Sequence, residues 1–314
     1  MGNKKDLVAI ITGGTGNQGA RLALIDEVKE NFNDIYVVAA YSDFYQLYED
    51  EGVTAFQQAP NSLYEQLIRG SSAEDVEIAA INPYEIGDFV AKRIHFFDAV
   101  RTTLGLPRKG TEECMSRFAK FDEKINEKYP DVAKDAEDEA KKLLKEHKKK
   151  YICLVQSSGG QSPLSGAQGV YSPLNDPLIR PYRHFSKLVE LLQKKYPDTL
   201  FVQYRLKNEP EIKGTVTLEK PYLFYNQFAK YCEAVVAIDS SLQHIVTETS
   251  KHTNILWAET LPTSFGYSKN NNIFFVKNTL DTEPFFSYWQ NKPAVIKYKM
   301  PEELIEELDM GECK

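Results

Sequence analysis

The sequence predicts an α/β protein made of two doubly wound, Rossmann-like halves. Short apolar runs alternate with helical patterns in two separate series, as in parallel sheets wrapped by crossover helices. A charged, lysine-rich segment lies between the two series. The chain has 314 residues, of which 42% are hydrophobic, so each half can build its own core. We expect a first domain at 1–107, a helical connector at 108–150 and a second domain at 151–314.

The first half begins with a buried strand and a Gly-rich turn. Its predicted strands are 7–12, 35–40 and 76–81. Ile25, Val28 and Phe32 mark the inner face of the helix that follows the turn. Apolar residues at helical intervals between 86 and 100 predict one long amphipathic helix that ends near Gly105.

The segment 108–150 is highly charged. Its acidic residues precede its basic ones, which is the order that complements a helix dipole. Its thin apolar stripe consists of Val132, Ala136, Ala140, Leu143 and Leu144. We expect a solvated helical connector. The alternative is that the lysines of 145–150 contact a polyanionic acceptor.

The second half repeats the alternation. Its predicted strands are 151–156, 200–204, 233–238 and 254–257. Phe185, Leu188 and Leu192 line a helix between the first two strands, and another helix follows residue 241. Residues 301–308 predict a final short helix, and one option is that it packs back on the first half.

The composition excludes several classes of protein. A net charge of -7 argues against a chain-wide electrostatic footprint for nucleic acid. The four cysteines form no Cys-x-x-Cys pair, so neither a disulfide framework nor a structural zinc site is indicated. No apolar run approaches the length that spans a bilayer, and we predict a cytoplasmic location.

The hexapeptide Asp239-Ser-Ser-Leu-Gln-His244 lies between a predicted strand and a predicted helix. Two hydroxyls and the free N–H groups of a first helical turn can bind a phosphate. The alternative is ordinary helix capping, with His244 as a core residue whose hydrogen bonds are satisfied.

The Gly-rich turn has the spacing Gly13-x-x-Gly16-x-x-Gly19 directly after the first strand. Glycines allow the backbone to approach a phosphate or an acceptor hydroxyl closely. The spacing also resembles the nucleotide fingerprint of atypical short-chain dehydrogenases, which bind a dinucleotide there. The acidic residue expected for the ribose is missing near the end of strand two, with Asp43 somewhat late. Tyr-x-x-x-Lys occurs only at Tyr288, so a dehydrogenase is the second hypothesis.

A third loop, at 157–162, consists mainly of small residues and follows the strand 151–156. Arg180 and Arg183 lie close to the start of the next helix. Small residues at a strand's carboxyl end, together with a guanidinium group, suit an anionic ligand. A plain loop is the alternative.

The order of these motifs resembles that of the family 9 glycosyltransferases, the heptosyltransferase-like group. Members typically carry Asp-Ser-Gly-x-x-His-x-Ala, then a strand and a Gly-x-Thr-x-Pro loop. This chain has the hexapeptide, a strand, and Glu259-Thr-Leu-Pro262 with Phe265-Gly-Tyr267. Gly13-Gly-Thr-Gly-Asn17 stands where the family has Gly-Gly-Leu-Gly-Asp. The segment from Arg180 through Glu209 is also similar, and the resemblance is weakest at 108–150.

The resemblance implies GT-B architecture, with the acceptor mainly on the first domain and a nucleotide-sugar on the second. It implies sugar transfer from that donor, with inversion at the anomeric carbon and with no metal or other cofactor. A glycan and a modified nucleobase both fit as acceptor, and the oligomeric state is left open. The residues that it assigns are Ser158, Glu209, Asp239, Ser240, Ser241 and His244 for the donor, Asn17 and Arg180 for catalysis, and Gly13, Gly14 and Gly16 for the acceptor loop.

Two positions depart from the family pattern. Asn17 stands where the family has an aspartate base, and an amide does not accept a proton at neutral pH. Ser241 replaces the usual glycine. Asp43 or Asp88 are alternative proton acceptors. A further alternative is a catalytically degenerate module that still binds a sugar nucleotide.

Overall fold

The computed structural model describes residues 4–11, 15–39, 43–57, 75–157, 181–205, 209–258, 260–277 and 297–313. At positions 15, 17 and 43 only the backbone is described. Within these ranges, ten strands form two sheets in which every paired strand is parallel. The predicted α/β architecture with two parallel sheets is therefore confirmed.

The first sheet has the strand order β3-β2-β1-β4. Its strands are β1 (Asp6–Ile11), β2 (Ile35–Ala39), β3 (Val53–Phe56) and β4 (Val76–Ile81). Four of the six residues of β1 are buried and the other two are half-buried, which agrees with the continuous apolar run that predicted the strand. The sequence patterns identified β1, β2 and β4 but missed the short edge strand β3.

The second sheet has the order β10-β9-β8-β5-β6-β7. Its strands are β5 (Tyr151–Gln156), β6 (Thr199–Gln203), β7 (Val216–Thr217), β8 (Ala234–Ile238), β9 (His252–Trp257) and β10 (Asn271–Phe274). The four predicted strands form the middle of this sheet, and the two missed strands, β7 and β10, are its edges.

Helices surround both sheets. The described helices are α1 (Thr15–Arg21), α2 (Ile25–Asn31), α3 (Asp43–Gln46), α4 (Gly87–Val90), α5 (Phe96–Thr103), α6 (Thr111–Met115), α7 (Phe121–Lys128), α8 (Pro130–His147), α9 (Phe185–Lys195), α10 (Tyr222–Phe228), α11 (Ser241–Val246), α12 (Pro262–Phe265) and α13 (Pro301–Leu304). Short 3-10 helices occur at Leu22–Leu24, Glu49–Glu51, Pro83–Glu85 and Ala229–Tyr231. Within the described chain, no helix is both long and apolar enough to cross a membrane.

Each sheet contains one point where the strand order reverses direction. The chain runs outward from β1 to β3 and then returns to place β4 on the other side of β1. It likewise runs from β5 to β7 and returns to place β8 beside β5. Open parallel sheets bind ligands outside the carboxyl ends of their strands at such switch points. The β1/β4 and β5/β8 edges are therefore the two positions where this fold favours a ligand.

Aromatic side chains pack the two halves against each other. The Phe265 ring, from the second half, meets Phe89 at 5.3 Å and Phe96 at 5.8 Å between ring centroids. Phe44 and Tyr222 form a similar edge-to-face pair at 5.1 Å. Such pairs contribute about 0.5–1.5 kcal/mol each beyond their buried area. One continuous core cluster contains side chains from both sheets, so the halves share buried surface.

The predicted long helix at 86–105 is instead two helices, α4 and α5. Lys92 adopts a left-handed conformation with φ 57°, which ends the first helix. His95 then caps the second, because its Nδ1 accepts the Phe97 N–H at 3.2 Å. A side chain that accepts from the first turn satisfies one donor that the helix leaves free.

The segment 108–150 is more than a solvated connector. The ring of Phe121 is fully buried, and α8 packs on α10 of the second half. Lys128 pairs with Asp50 of the first half at 2.9 Å, and Asp135 pairs with Lys220 of the second half at 2.8 Å. The buried part of the predicted stripe is Ala136, Ala140 and Leu143. One face is solvated as expected, but the other packs on both halves.

A buried group of charges holds the start of this segment on the first half. Arg101 is fully buried and donates to both carboxylate oxygens of Glu27 at 2.9 Å and to Asp98 at 3.0 Å. Asp98 also accepts the N–H groups of Lys109 and Gly110 at 2.9 Å. Burial acts to raise the pKa of Asp98, but these hydrogen bonds outweigh it and lower the pKa below its ordinary value.

The last helix, α13, packs on α9 and contributes Leu304 to the core cluster of the second half. Among the described residues, α13 therefore packs on the second half and not back on the first half as the alternative had it. Burial on α9 explains the apolar positions of this otherwise acidic helix.

Candidate functional site

The hexapeptide lies at the β5/β8 switch point. Ser240 is the N-cap residue of α11, but its hydroxyl makes no capping hydrogen bond. It donates instead to the side-chain oxygen of Gln156, the last residue of β5. Ordinary capping therefore does not explain Ser240, whose hydrogen bond joins the ends of the two strands at the switch point.

Asp239 is only 5% exposed, and it accepts a hydrogen bond at 2.5 Å from the amide of Gln243. Gln243 lies one turn further along α11 and is fully buried. A charge-assisted hydrogen bond of this kind fixes the carboxylate and offsets part of its desolvation.

Glu209 is brought to the same edge by the loop after β6. The residue is 3% exposed, and its carboxylate accepts from the hydroxyl of Ser157, directly after β5. Gln203, at the end of β6, holds this loop through the Ile212 N–H at 2.9 Å and the Pro210 carbonyl at 3.1 Å. The predicted donor residues Glu209, Asp239 and Ser240 thus lie along neighbouring carboxyl ends.

His244 points from α11 to the loop after β9. Its Nδ1 lies 2.9 Å from the hydroxyl oxygen of Tyr267. Burial, together with the nearby ring of His95, lowers the pKa of His244 to about 3. The imidazole is therefore neutral at physiological pH, and it can act there as a hydrogen-bond partner but not as a cation.

Several buried polar atoms at this edge have no hydrogen-bond partner within the described ranges. They are Gln156 Nε2, Gln243 Oε1, Thr260 Oγ1 and Ser264 Oγ. Buried polar atoms are normally hydrogen-bonded, so these four atoms keep hydrogen-bonding capacity that the described residues leave unused.

The β1/β4 edge meets the β5/β8 edge at Gly16. A Cβ atom built at Gly16 would lie 2.9 Å from the Ser241 Cα and 3.2 Å from its Cβ. Only glycine fits here without displacing a neighbour. Helices α1 and α11 pack on each other at this contact, so the β1/β4 edge faces the β5/β8 edge.

The structure brings together some predicted site residues and leaves others undescribed. Gly16, Glu209, Asp239, Ser240, Ser241 and His244 are placed as above, whereas Gly13, Gly14, Ser158 and Arg180 fall outside the described residues. The backbone of Asn17 lies in α1, but its side chain is not described, and the same holds for the side chain of Asp43. Asp88 is 40% exposed at its side chain and pairs with Arg108 at 2.8 Å, so its carboxylate already has a cationic partner on the surface.

Three site residues were missed by sequence reasoning. Gln156 was treated as the end of a strand, although a polar residue that closes a buried apolar run is itself a signal. Tyr222 donates its hydroxyl to the Ser241 carbonyl, and only the fold brings these two residues together. His95 gave no sequence signal.

His95 connects the two halves. Its Nδ1 accepts from the Phe97 N–H, so its Nε2 carries the proton and donates to the Gly266 carbonyl at 3.1 Å. Burial lowers the pKa of His95 to about 4, despite the opposing effect of the Gly266 hydrogen bond. Gly266 precedes Tyr267, so this bond helps to fix the loop that contacts His244.

The described residues contain no group of three or more His, Cys, Asp or Glu side chains that could hold a metal ion.

Comparisons with known proteins identify the fold. Neither a protein-family model nor any curated protein sequence matches this chain. The structure is similar to that of a family 9 glycosyl transferase from Veillonella parvula DSM 2008, with a TM-score of 0.54 and 11% identity over 96% of this chain and 95% of that one.

A second similar structure is the dodecameric iron-containing heptosyltransferase TibC in complex with ADP-D-beta-D-heptose. Its TM-score is 0.51 at 10% identity, over 85% of this chain and 62% of that one. TibC from enterotoxigenic E. coli H10407 gives a TM-score of 0.51 at 9% identity with the same coverage. This chain therefore spans less than two thirds of the length of TibC. At these identities the likeness concerns the fold, and it confirms the predicted GT-B architecture.

Replacement of Gly16 by alanine tests the contact between the halves. We expect Gly16→Ala to lower the free energy of unfolding by about 1–3 kcal/mol, because the new methyl group would press on the Ser241 backbone. Gly19→Ala in the same helix is the matched control. There the added Cβ meets the Phe121 ring at an ordinary 3.5 Å, and alanine favours the helix by about 0.5–1 kcal/mol. Urea unfolding measures the free energy of unfolding of both variants. An equal change in Gly16→Ala and Gly19→Ala would contradict the close approach of Gly16 to Ser241.

The buried histidines predict a stability that falls in acid. In the unfolded chain a histidine titrates near 6.5, whereas in the folded protein the pKa is about 4 for His95 and about 3 for His244. The unfolded state therefore binds more protons below pH 6.5. The stability that the two neutral histidines contribute is fully present above pH 6.5. It is lost as the pH falls toward 4, at up to about 1.4 kcal/mol per pH unit for each histidine.

Replacement of His95 isolates its share of this slope. His95→Gln should reduce the dependence of unfolding free energy on pH between 6.5 and 4 by about one proton. His147→Gln is the control, because His147 is exposed at the end of α8. If both variants keep the slope of the unaltered protein, His95 is not held neutral by the fold.

Proposed function

We propose that this chain is a glycosyltransferase that moves a sugar from a nucleotide-sugar donor to a separate acceptor. The observation that carries the proposal is that the two switch points face each other, with Gly16 against Ser241. A transferase needs two ligands in contact, and two facing ligand-binding edges supply adjacent sites for them.

We assign the donor to the β5/β8 edge and the acceptor to the β1/β4 edge. A buried carboxylate such as Glu209 accepts hydrogen bonds from ribose hydroxyls, and Asp239 accepts from hydroxyls of the sugar. His244 provides a hydrogen bond toward the diphosphate. TibC was solved with ADP-D-beta-D-heptose, and a nucleoside diphosphate sugar is the donor class that we propose here.

In the proposed reaction an acceptor hydroxyl attacks the anomeric carbon. The new C–O bond forms as the bond to the diphosphate breaks, the acceptor proton passes to a base, and the configuration at the carbon is inverted. We propose that hydrogen-bond donors and the guanidinium of Arg180 stabilise the leaving diphosphate without a metal. Turnover should then survive EDTA.

The residue that accepts the proton of the acceptor hydroxyl is not yet assigned. Asn17 follows Gly16 in α1, one residue from the contact with Ser241, and an amide cannot serve as a base at neutral pH. The surface ion pair with Arg108 argues against Asp88 in this role. Asp43 stays a candidate on its position in α3. Asn17 is also the observation that favours the degenerate binding module as the second candidate function.

The dehydrogenase hypothesis has less support. It rested on the Gly-rich turn of the first half alone. A second parallel sheet of six strands, and a fold likeness that extends over 96% of the chain, favour a two-domain transferase.

Donor binding is tested with a panel of nucleoside diphosphates and nucleotide-sugars, by thermal shift and calorimetry. We expect at least one ligand to raise the melting temperature. Glu209→Gln and Asp239→Asn should weaken nucleotide-sugar binding about 10-fold or more, because hydrogen bonds to charged groups contribute about 1.5–3 kcal/mol. Asp239→Asn should affect the sugar nucleotide more than the matching diphosphate.

The matched control is Glu233→Gln. Glu233 is also a buried carboxylate, 5% exposed, and it flanks the opposite end of β8, where it pairs with Lys251. Binding should be retained in this variant. If no ligand binds, or if all three variants weaken binding equally, the donor assignment fails. Binding without turnover, with turnover gained in Asn17→Asp, would identify the degenerate module.

A further inference from the structure

The hydrogen bond between His244 and Tyr267 determines what His244 offers a ligand. A neutral imidazole carries its single proton on either Nδ1 or Nε2, and the other nitrogen is then an acceptor. Nδ1 lies 2.9 Å from the Tyr267 hydroxyl. Within the described chain, Nε2 has no hydrogen-bond partner.

The direction of that hydrogen bond follows from burial. Tyr267 is 1% exposed, and its hydroxyl has no other hydrogen-bond partner among the described residues. If the hydroxyl accepted from His244, its own proton would be buried without an acceptor, which costs about 1–3 kcal/mol. Burial and the nearby charge of Asp239 also raise the pKa of Tyr267 above its ordinary value, so the hydroxyl keeps its proton. The hydroxyl therefore donates to Nδ1.

Contacts with the first half and with the segment 108–150 hold Tyr267 in place. Its ring packs against Phe97 of α5 at 6.2 Å and against Phe118, in the loop between α6 and α7, at 6.3 Å between centroids. The preceding carbonyl, at Gly266, accepts from His95. The backbone carbonyl of Tyr267 accepts a hydrogen bond from the side-chain amide of Asn272 at 3.0 Å. The hydroxyl has little freedom to turn away from His244.

We infer that Tyr267 is a positioning residue that holds His244 as the Nε2–H tautomer, so that the donor edge presents an N–H group to a ligand atom that only accepts hydrogen bonds. The oxygens of a nucleoside diphosphate are such atoms. The tautomer follows from the protein alone, whereas the assignment of this ligand rests on the proposed function.

The tautomer is measured by nitrogen NMR of ligand-free protein labelled with 15N-histidine. The chain has five histidines, and His244→Gln identifies the signals of interest. In the unaltered protein we expect His244 to show a bare Nδ1 and a protonated Nε2. In Tyr267→Phe the two tautomers should exchange, with averaged nitrogen shifts.

Tyr225→Phe is the control for loss of a buried hydroxyl. Tyr225 is equally buried and donates to the Leu218 carbonyl at 2.6 Å, so its removal should leave the His244 signals unchanged. A protonated Nδ1 in the unaltered protein would overturn the inference even if Tyr267→Phe failed to fold. Unchanged signals in a folded Tyr267→Phe would overturn it as well.

Binding of ADP, UDP and GDP tests the ligand. Whichever diphosphate binds the unaltered protein should bind Tyr267→Phe about 5- to 20-fold more weakly and Tyr225→Phe equally well. If the affinity of Tyr267→Phe for the diphosphate changes less than twofold, the positioning role of Tyr267 is contradicted. If none of the three binds, the proposed function fails, while the NMR result still decides the tautomer.

Discussion

The close approach of α1 to α11 is the constraint on which the rest of the site depends. Each helix follows a strand at a switch point, and Gly16 lets the two helix backbones come together over Ser241. Larger side chains at this contact would separate the two carboxyl edges. Two Rossmann-like sheets could each bind a ligand alone, but transfer between ligands requires the edges to face each other at short range.

The interface around this contact is buried and aromatic, and the burial determines the protonation of the groups within it. Rings from both halves surround His95, His244 and Tyr267, so desolvation keeps both imidazoles neutral and the phenol protonated. The hydrogen bonds there must consequently be directional rather than ionic. The same burial that joins the halves thus fixes which atoms at the β5/β8 edge donate hydrogen bonds and which accept them.

Much of the fold was predictable because buried parallel strands are continuous apolar runs. The missed strands β3, β7 and β10 are partly exposed edge strands of only two to four residues, and both features weaken that signal. The partly exposed edge strand β4 was found because it has six residues. The helix break at Lys92 depends on a left-handed residue and on a His95 cap that no periodicity reveals. The packing of 108–150 on both halves was hidden by its charge.

The site was predictable where short motifs carry it, as at Asp239 to His244, and not where distant segments meet. Gln156, Tyr222 and His95 act through partners about 20 to 170 residues away in sequence.

The most direct test of the account is a crystal structure with a bound nucleoside diphosphate. The account predicts the diphosphate at the carboxyl ends of β5 and β8, within hydrogen-bond distance of His244 Nε2. A diphosphate bound at the Gly-rich turn after β1 would contradict it.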